Sequence, residues 1–372
     1  MTAARRISLS KPVFDEEMKN AAIFALQSER FVLGESVYKF EEEFAHYCGT
    51  EFAVSTASGT AALTLVLLAL NIRGDVLTTP ASFVATANSI IHANATPKFV
   101  DIALDTYTID PAKLPAAINM RTKAVLPVHL YGFPASMDEI SEMCSHRGIS
   151  IVEDACQAHG ALYKGMKVGS IGDVGCFSFY PSKNMTVAGD GGMVVTSDDK
   201  IAESVQSLRD CGRVKGKKYL HNRVGFTERL NTVQAAIGRV QLRRLDLWNE
   251  KRRQVASAYD KLFSDIDIVR PPVGSNDVVP VYHTYVIRCE QREELRKWLE
   301  QHGVQTGVHY EYPIHLQPAY QGAFGYREGD FKNSEMLCRT VLSIPMYPEL
   351  ALDDVAYISD CIHRFYERSV QS

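Results

Sequence analysis

Ile151-Val152-Glu153-Asp154-Ala155-Cys156-Gln157-Ala158-His159-Gly160 reads as an apolar strand that ends on two carboxylates and enters a turn of small residues. A strand apolar on both faces suits the middle of a parallel sheet covered by helices. The pattern repeats on either side of it. Strands are predicted at residues 76–79, 98–101, 124–129, 150–154, 175–179 and 192–196, and helices at 59–70, 83–93 and 137–146. Such alternation, joined by right-handed crossovers, predicts an α/β fold with a mostly parallel central sheet between helices. A long helical stretch is expected over residues 234–263. A smaller α+β unit follows, with strands at 282–288 and 306–309 and helices at 293–302 and 352–368. The expected division is residues 1–245, an N-terminal arm and large domain, and 246–372, a small C-terminal domain.

The 372 residues carry a net charge of −4, with no basic excess to attract nucleic acid or an anionic membrane. Hydrophobic residues make up 46% and charged residues 23%, which excludes disorder as the main state. The longest apolar run, residues 61–70, is half of the roughly 20 residues a membrane helix needs. Arg5 and Arg6 are followed by polar and charged residues, not by the apolar core of a signal peptide. The eight cysteines are scattered and none forms a C-x-x-C pair, so reduced thiols in a cytoplasm are expected. No G-x-G-x-x-G, Walker A, H-E-x-x-H or G-x-S-x-G motif is present. His159 has no second ligand at metal spacing, so no metal site is expected.

Four segments carry possible chemistry. In Ala57-Ser58-Gly59-Thr60-Ala61-Ala62-Leu63 a small polar triplet opens an apolar helix. Free N–H groups, the positive dipole end and a hydroxyl there can bind phosphate, or Ser58 can act as a plain helix cap. Asp154 stands at a strand end, where α/β sheets place ligands, and could keep a heterocyclic nitrogen protonated or cap a helix. In Phe177-Ser178-Phe179-Tyr180-Pro181-Ser182-Lys183-Asn184 a strand runs into a turn with one lysine. Most lysines are solvated, but one beside a desolvated site can lose its proton and attack a carbonyl. Gly189-Asp190-Gly191-Gly192 allows a tight turn before a strand.

Taken together, these segments resemble the DegT-type nucleotide-sugar aminotransferases. Asp154 stands 29 residues before Lys183, with Ser-Gly-Thr upstream and Gly-Asp-Gly-Gly downstream. Further matching stretches are Asp105-Thr-Tyr-Thr-Ile-Asp110, Pro127-Val-His-Leu-Tyr-Gly132, Arg229-Leu-Asn-Thr-Val-Gln-Ala-Ala236 and Leu342-Ser-Ile-Pro-Met-Tyr-Pro348. The resemblance covers nearly the whole chain. It implies fold type I of the enzymes that use pyridoxal 5′-phosphate (PLP), similar to aspartate aminotransferase.

The resemblance also implies roles. Lys183 is expected to form the internal aldimine with PLP and then to move a proton. Asp154 is expected to pair with the pyridinium nitrogen, and Gln157 to contact the cofactor hydroxyl. Gly59, Thr60 and Ser178 are expected to hold the phosphate, and Phe83 to stack on the ring. The implied reaction moves an amino group from glutamate or glutamine to a keto sugar on a nucleoside diphosphate. Tyr180-Pro181-Ser182 and Gly189-Asp190-Gly191 lean toward a 3-keto hexose, because family members acting on such sugars often carry similar residues here. A 4-keto sugar or a cyclitol ketone is an alternative, as is a PLP-binding regulatory protein without turnover. Lys183 speaks against the dehydratase branch, in which histidine typically replaces the lysine. A homodimer with shared active sites is implied, with the helical stretch 234–253 and its basic end Lys251-Arg252-Arg253 as a candidate contact. Two positions depart from the family pattern: Ser58 and Thr227 stand where Asn is usual.

Overall fold

The computed structural model describes residues 5–264, 266 and 268–371. Its strands are β1 (Phe52–Thr56), β2 (Asp75–Thr78), β3 (Thr96–Phe99), β4 (Thr122–Val125), β5 (Ser150–Asp154), β6 (Leu162–Tyr163), β7 (Met166–Lys167), β8 (Val174–Ser178), β9 (Gly192–Thr196), β10 (Val278–Val279), β11 (Tyr285–Arg288) and β12 (Val341–Ile344). Seven of them form the main sheet, in the order β1-β9-β8-β5-β4-β2-β3. From β8 through β5, β4 and β2 to β3 every pairing is parallel. Only β9 runs against its neighbours β8 and β1.

Strand period sorts the core onto two faces. Ile151, Phe177, Met193 and Val195 join one apolar cluster, whereas their chain neighbours Val152, Cys176 and Val194 join another. The helix Gly59–Ala69 is apolar nearly all round, as a helix buried against the sheet must be. It turns a side chain into the interior at almost every position from Ala61 to Leu67.

A third apolar cluster gathers Tyr259, Tyr285, Leu295, Leu299, Leu342, Val355 and Ile358 around the antiparallel pair β11–β12. Ile7 belongs to it too, through a bridge to Val304. No helix among the described residues is long and apolar enough to cross a membrane.

The long helical stretch differs from its sequence reading. It is two helices, Thr232–Leu242 and Leu245–Leu262, parted at Arg243 and Arg244. Arg244, at φ −108° and ψ −6°, caps the second of them and pairs with Asp15 and Glu17 ahead of and within the first helix of the chain. Within the basic run Lys251-Arg252-Arg253, a candidate contact in the sequence, the three side chains differ in environment. Arg252 is buried and donates to the backbone carbonyls of Tyr282, His283 and Met346. Residues 306–309 form no strand; only Gly307 bridges to Ser343, and β12 takes the place beside β11.

Candidate active site at the carboxyl ends of the sheet

β1, β2, β5 and β8 all end at the same edge of the sheet, the edge where open α/β sheets bind ligands. The segments that leave these ends carry the seven predicted site residues. Register brings them together: Asp154 pairs with Cys176, and both Ser178 and Thr56 pair with Gly192.

Gly59 opens its helix directly over β8. A Cβ on Gly59 would lie 2.7 Å from Ser178 Cβ and 2.9 Å from Cys156 Sγ, so only glycine lets the backbone come this close. Gly192 is held in the same way, 2.4 Å from the Ser58 carbonyl oxygen by the same measure. Ser58 Oγ caps the helix by accepting from Ala61 N at 3.0 Å. The N–H groups of Gly59 and Thr60 cannot pair within the helix and face the end where Ser178 stands. The three make a cup for an anion such as phosphate.

Asp154 is buried, 5% exposed. It accepts from Thr86 Oγ1 at 2.8 Å and from Cys156 N at 3.2 Å, both neutral donors. Its negative charge is therefore left for a cation. Glu153, one residue earlier, points to the opposite face, as strand period requires. There it accepts from Gly169 N, Ile171 N and Gly172 N and meets His129 Nε2 at 3.0 Å. Of the two carboxylates at the strand end, one builds the loop and the other faces the site.

Gln157 Oε1 accepts from Tyr131 N at 2.9 Å, and its amide Nε2 donates to Tyr310 Oη at 3.3 Å. Phe83 is 53% exposed and lies outside the core, its ring 5.6 Å from that of Tyr310. Lys183 is half-buried, on a turn closed by its N–H to the Tyr180 carbonyl at 2.8 Å. Burial pushes its amine below the ordinary lysine pKa, while the Cys156 thiol and the Asp154 carboxylate pull it back up. A lysine biased toward the free amine is able to attack a carbonyl. His159 packs on Phe177 and Phe179, ring centroids 5.3 and 5.8 Å away, with both ring nitrogens unpartnered among the described residues.

The predicted site residues gather at this edge in linked groups, with Lys183 sensing the charge of Cys156 and Asp154. Gly59 touches Ser178 and Cys156, Cys156 bonds Asp154, and Gln157 reaches Phe83 through Tyr310. Thr86, Tyr131 and Tyr310 carry no role predicted from the sequence, although Tyr131 lies within the quoted stretch 127–132. Thr86 lies three residues after Phe83, whereas Tyr310 lies 153 residues from Gln157 and has no local signal in the sequence. A cleft of about 920 Å³ lies elsewhere, lined by Arg30, Lys200, Arg213, Arg223 and Arg229 among others, and includes none of the seven.

Residues 12–363 match the DegT/DnrJ/EryC1/StrS aminotransferase family. The chain belongs to this family. It is 41% identical over 349 residues to dTDP-3-amino-3,4,6-trideoxy-alpha-D-glucose transaminase of Streptomyces venezuelae, covering 93% of this chain and 91% of that one. It is 40% identical over 345 residues to the pleiotropic regulatory protein of Geobacillus stearothermophilus, covering 92% of each. Among solved structures, S. venezuelae DesV in complex with a ketimine intermediate superposes with a TM-score of 0.91 at 40% identity, over 94% of each chain.

As a DegT-family member the chain is a nucleotide-sugar aminotransferase of fold type I, and its cofactor is PLP. The residues present fit that cofactor: an anion cup that a Cβ would fill, a buried carboxylate bonded only to neutral donors, and a desolvated lysine.

Proposed function

We propose that this aminotransferase moves an amino group from glutamate or glutamine to a 3-keto hexose carried on a nucleoside diphosphate. The observation behind the chemistry is the desolvated amine of Lys183 beside the buried Asp154 carboxylate. Support for the 3-keto position comes from the S. venezuelae relative, named for a 3-amino sugar, together with Tyr180-Pro181-Ser182 and Gly189-Asp190-Gly191. Incubation with 3-keto and 4-keto hexoses on dTDP or UDP, read by mass spectrometry, tests this. Amination of the 4-keto isomer alone overturns the assignment, and amination of a cyclitol ketone alone removes the nucleotide.

In this reading each residue has one task. PLP, when bound, supplies the electron sink that stabilises charge at the substrate carbon. Gly59 N–H, Thr60 N–H and Ser178 Oγ hold its phosphate. The Asp154 carboxylate keeps the ring nitrogen protonated, with Thr86 fixing that carboxylate. Gln157, oriented by Tyr131 and Tyr310, offers its amide to the ring hydroxyl. Phe83 covers one ring face. Lys183 anchors the cofactor and afterwards carries a proton between substrate and cofactor carbon.

A second reading, a regulator that holds PLP without turnover, draws on the name of the Geobacillus relative. The complete set of Lys183, Asp154 and Gln157 favours turnover. A change in the cofactor absorbance when glutamate is added separates the two.

We also propose a homodimer with shared active sites, in a reducing cytoplasm. Exposed apolar side chains at Phe14, Phe24, Phe31, Tyr38, Leu220 and Phe226 support a protein interface, and the eight free thiols support the compartment. The division into residues 1–245 and 246–372 draws support from the separate cluster around β11 and β12. Light scattering is expected to give twice the 41.4 kDa chain mass, and a fully active monomer overturns the shared site.

A further inference from the structure

Asn184, the residue that follows Lys183, is buried, 4% exposed, and has none of the roles above. Its amide Nδ2 donates twice, to Asn249 Oδ1 at 2.8 Å and to the Val281 carbonyl at 2.9 Å. Asn249, 1% exposed on the helix Leu245–Leu262, carries the link onward. Its Nδ2 donates to the His159 carbonyl at 2.8 Å. His159 belongs to the segment that leaves β5 with Asp154 and Gln157. One chain of hydrogen bonds therefore ties the lysine turn to the turn that holds the carboxylate.

The two ends of this chain fix its direction. Val281 and His159 each present a backbone carbonyl, which only accepts, so an amide N–H must face each of them. Asn184 thus turns its nitrogen toward Val281 and Asn249, and Asn249 turns its oxygen toward Asn184. Reversing either amide sets oxygen against oxygen.

Packing alone does not call for two amides here. Asn184 Oδ1 is buried and has no partner among the described residues. A buried acceptor left unpaired is a cost that an apolar side chain of similar volume avoids. What the amides add is direction, since a buried polar network admits one arrangement of the segments it joins. Those segments lie far apart in the chain, with the three bonds spanning 65, 97 and 90 residues.

A second route closes the circuit. Val281 N donates to the Gly132 carbonyl at 3.1 Å, and His283 N to the Tyr131 carbonyl at 2.9 Å. Tyr131 N in turn donates to Gln157 Oε1 at 2.9 Å. The Lys183 turn is thereby joined to the Asp154–His159 segment twice, through Asn249 and through Val281.

We propose that Asn184 and Asn249 are positioning residues that together set the place of the Lys183 amine relative to Asp154 and Gln157. The helix Leu245–Leu262 then takes part in a site that it does not line. The inference rests on the proposed role of Lys183 as cofactor anchor and proton carrier.

The test is a pH titration of the visible absorbance of the lysine–cofactor bond in the PLP-loaded enzyme. That midpoint reads the surroundings of the amine and not the stability of the fold. Asn249→Leu, close in shape to asparagine, removes the bonds to Asn184 and His159. Asn184→Ala removes those to Asn249 and Val281. In the folded fraction of each variant the pH midpoint is expected to move from that of the wild type. Conversion of the absorbance by glutamate is expected to slow about ten- to hundredfold, as when a reacting group is slightly misplaced. The double variant is expected to be no slower than the slower single one, because a chain cut twice is open only once. A crystal of the PLP-loaded wild type is expected to keep all three amide bonds, a check that needs no variant. Wild-type midpoint and conversion in folded Asn249→Leu, effects that add in the double variant, or missing bonds in the crystal overturn the proposal. If Lys183→Ala keeps the absorbance, the reading of Lys183 itself falls. If Lys183→Ala loses it while Asn249→Leu behaves as the wild type, only the positioning role falls.

Discussion

Lys183 concentrates the chemistry of this chain in one amine. In the proposed reading, Lys183→Ala removes both the anchor and the proton carrier while leaving Asp154 and the proposed phosphate cup in place. The variant is expected to bind PLP without the visible absorbance of a lysine–cofactor bond. Its turnover is expected to drop by at least about 10²–10⁴, the usual share of general acid–base catalysis. Arginine should not rescue it, because a guanidinium stays protonated and does not attack a carbonyl. Retained absorbance and normal turnover would move the assignment to another lysine. Gly59 is the second residue on which the site turns. A methyl group there meets Ser178 and Cys156 at less than 3.0 Å, and the backbone must move away. Gly59→Ala is expected to lower stability by about 1–3 kcal/mol, the cost of overpacking, and to weaken PLP retention. Urea unfolding and cofactor loss on dialysis check the two effects separately, and a variant that keeps PLP as the wild type does contradicts the cup.

At the scale of the element, β5 shows how one strand serves two ends. Its alternation sends Glu153 and Asp154 to opposite faces, so a pair that looks equivalent in sequence is divided by the sheet. Glu153 meets three backbone N–H groups of the 169–172 loop. Glu153→Gln replaces one acceptor oxygen by an NH₂ group that confronts one of those donors. The expected loss is about 1–3 kcal/mol of stability in urea unfolding, with the cofactor absorbance kept in the folded fraction. An unchanged midpoint would mean that the loop is held by other contacts. The helical stretch 234–263 makes a related point. Its apolar period runs on, yet one helix ends at Leu242 and the next begins at Leu245, and Arg244 between them pairs with Asp15 and Glu17.

At the scale of the whole molecule, buried histidines contribute to the response to acid. His159, sealed between aromatic rings, is pushed down from 6.5 to about 3, by burial first and by the charge of Lys183 second. His283 and His309 are lowered in the same direction, again with burial as the largest cause. Between pH 6.5 and about 3 the unfolded chain binds a proton at His159 that the folded chain refuses. Stability is therefore complete above pH 6.5 and falls as the pH drops through that window, by up to about 1.4 kcal/mol per pH unit for each such group. Urea midpoints at pH 7.5, 6.5, 5.5 and 4.5 are expected to be level between the first two and to decline after that. His159→Phe, close in shape and without ionisable nitrogens, is expected to flatten part of the decline. A decline of equal slope in that variant assigns the effect to other groups.

By itself the sequence determined the α/β alternation and five strands and three helices of the main domain to within about three residues at either end, and through a family resemblance it brought seven candidate site residues forward. It could do so because hydrophobic period, capping residues and the Asp154–Lys183 spacing are local properties, legible along the chain. Tertiary structure alone decided the rest. Which of Glu153 and Asp154 faces the site depends on the sheet, not on either residue. Tyr310 reaches Gln157 and Phe83 only because the C-terminal unit folds back across the strand ends. Arg252 reads as surface charge, yet it lies buried beneath three carbonyls that come from distant parts of the chain. In each case the deciding contact joins residues tens to hundreds of positions apart. Such contacts exist only after the chain has closed its long loops, and nothing in local composition encodes them.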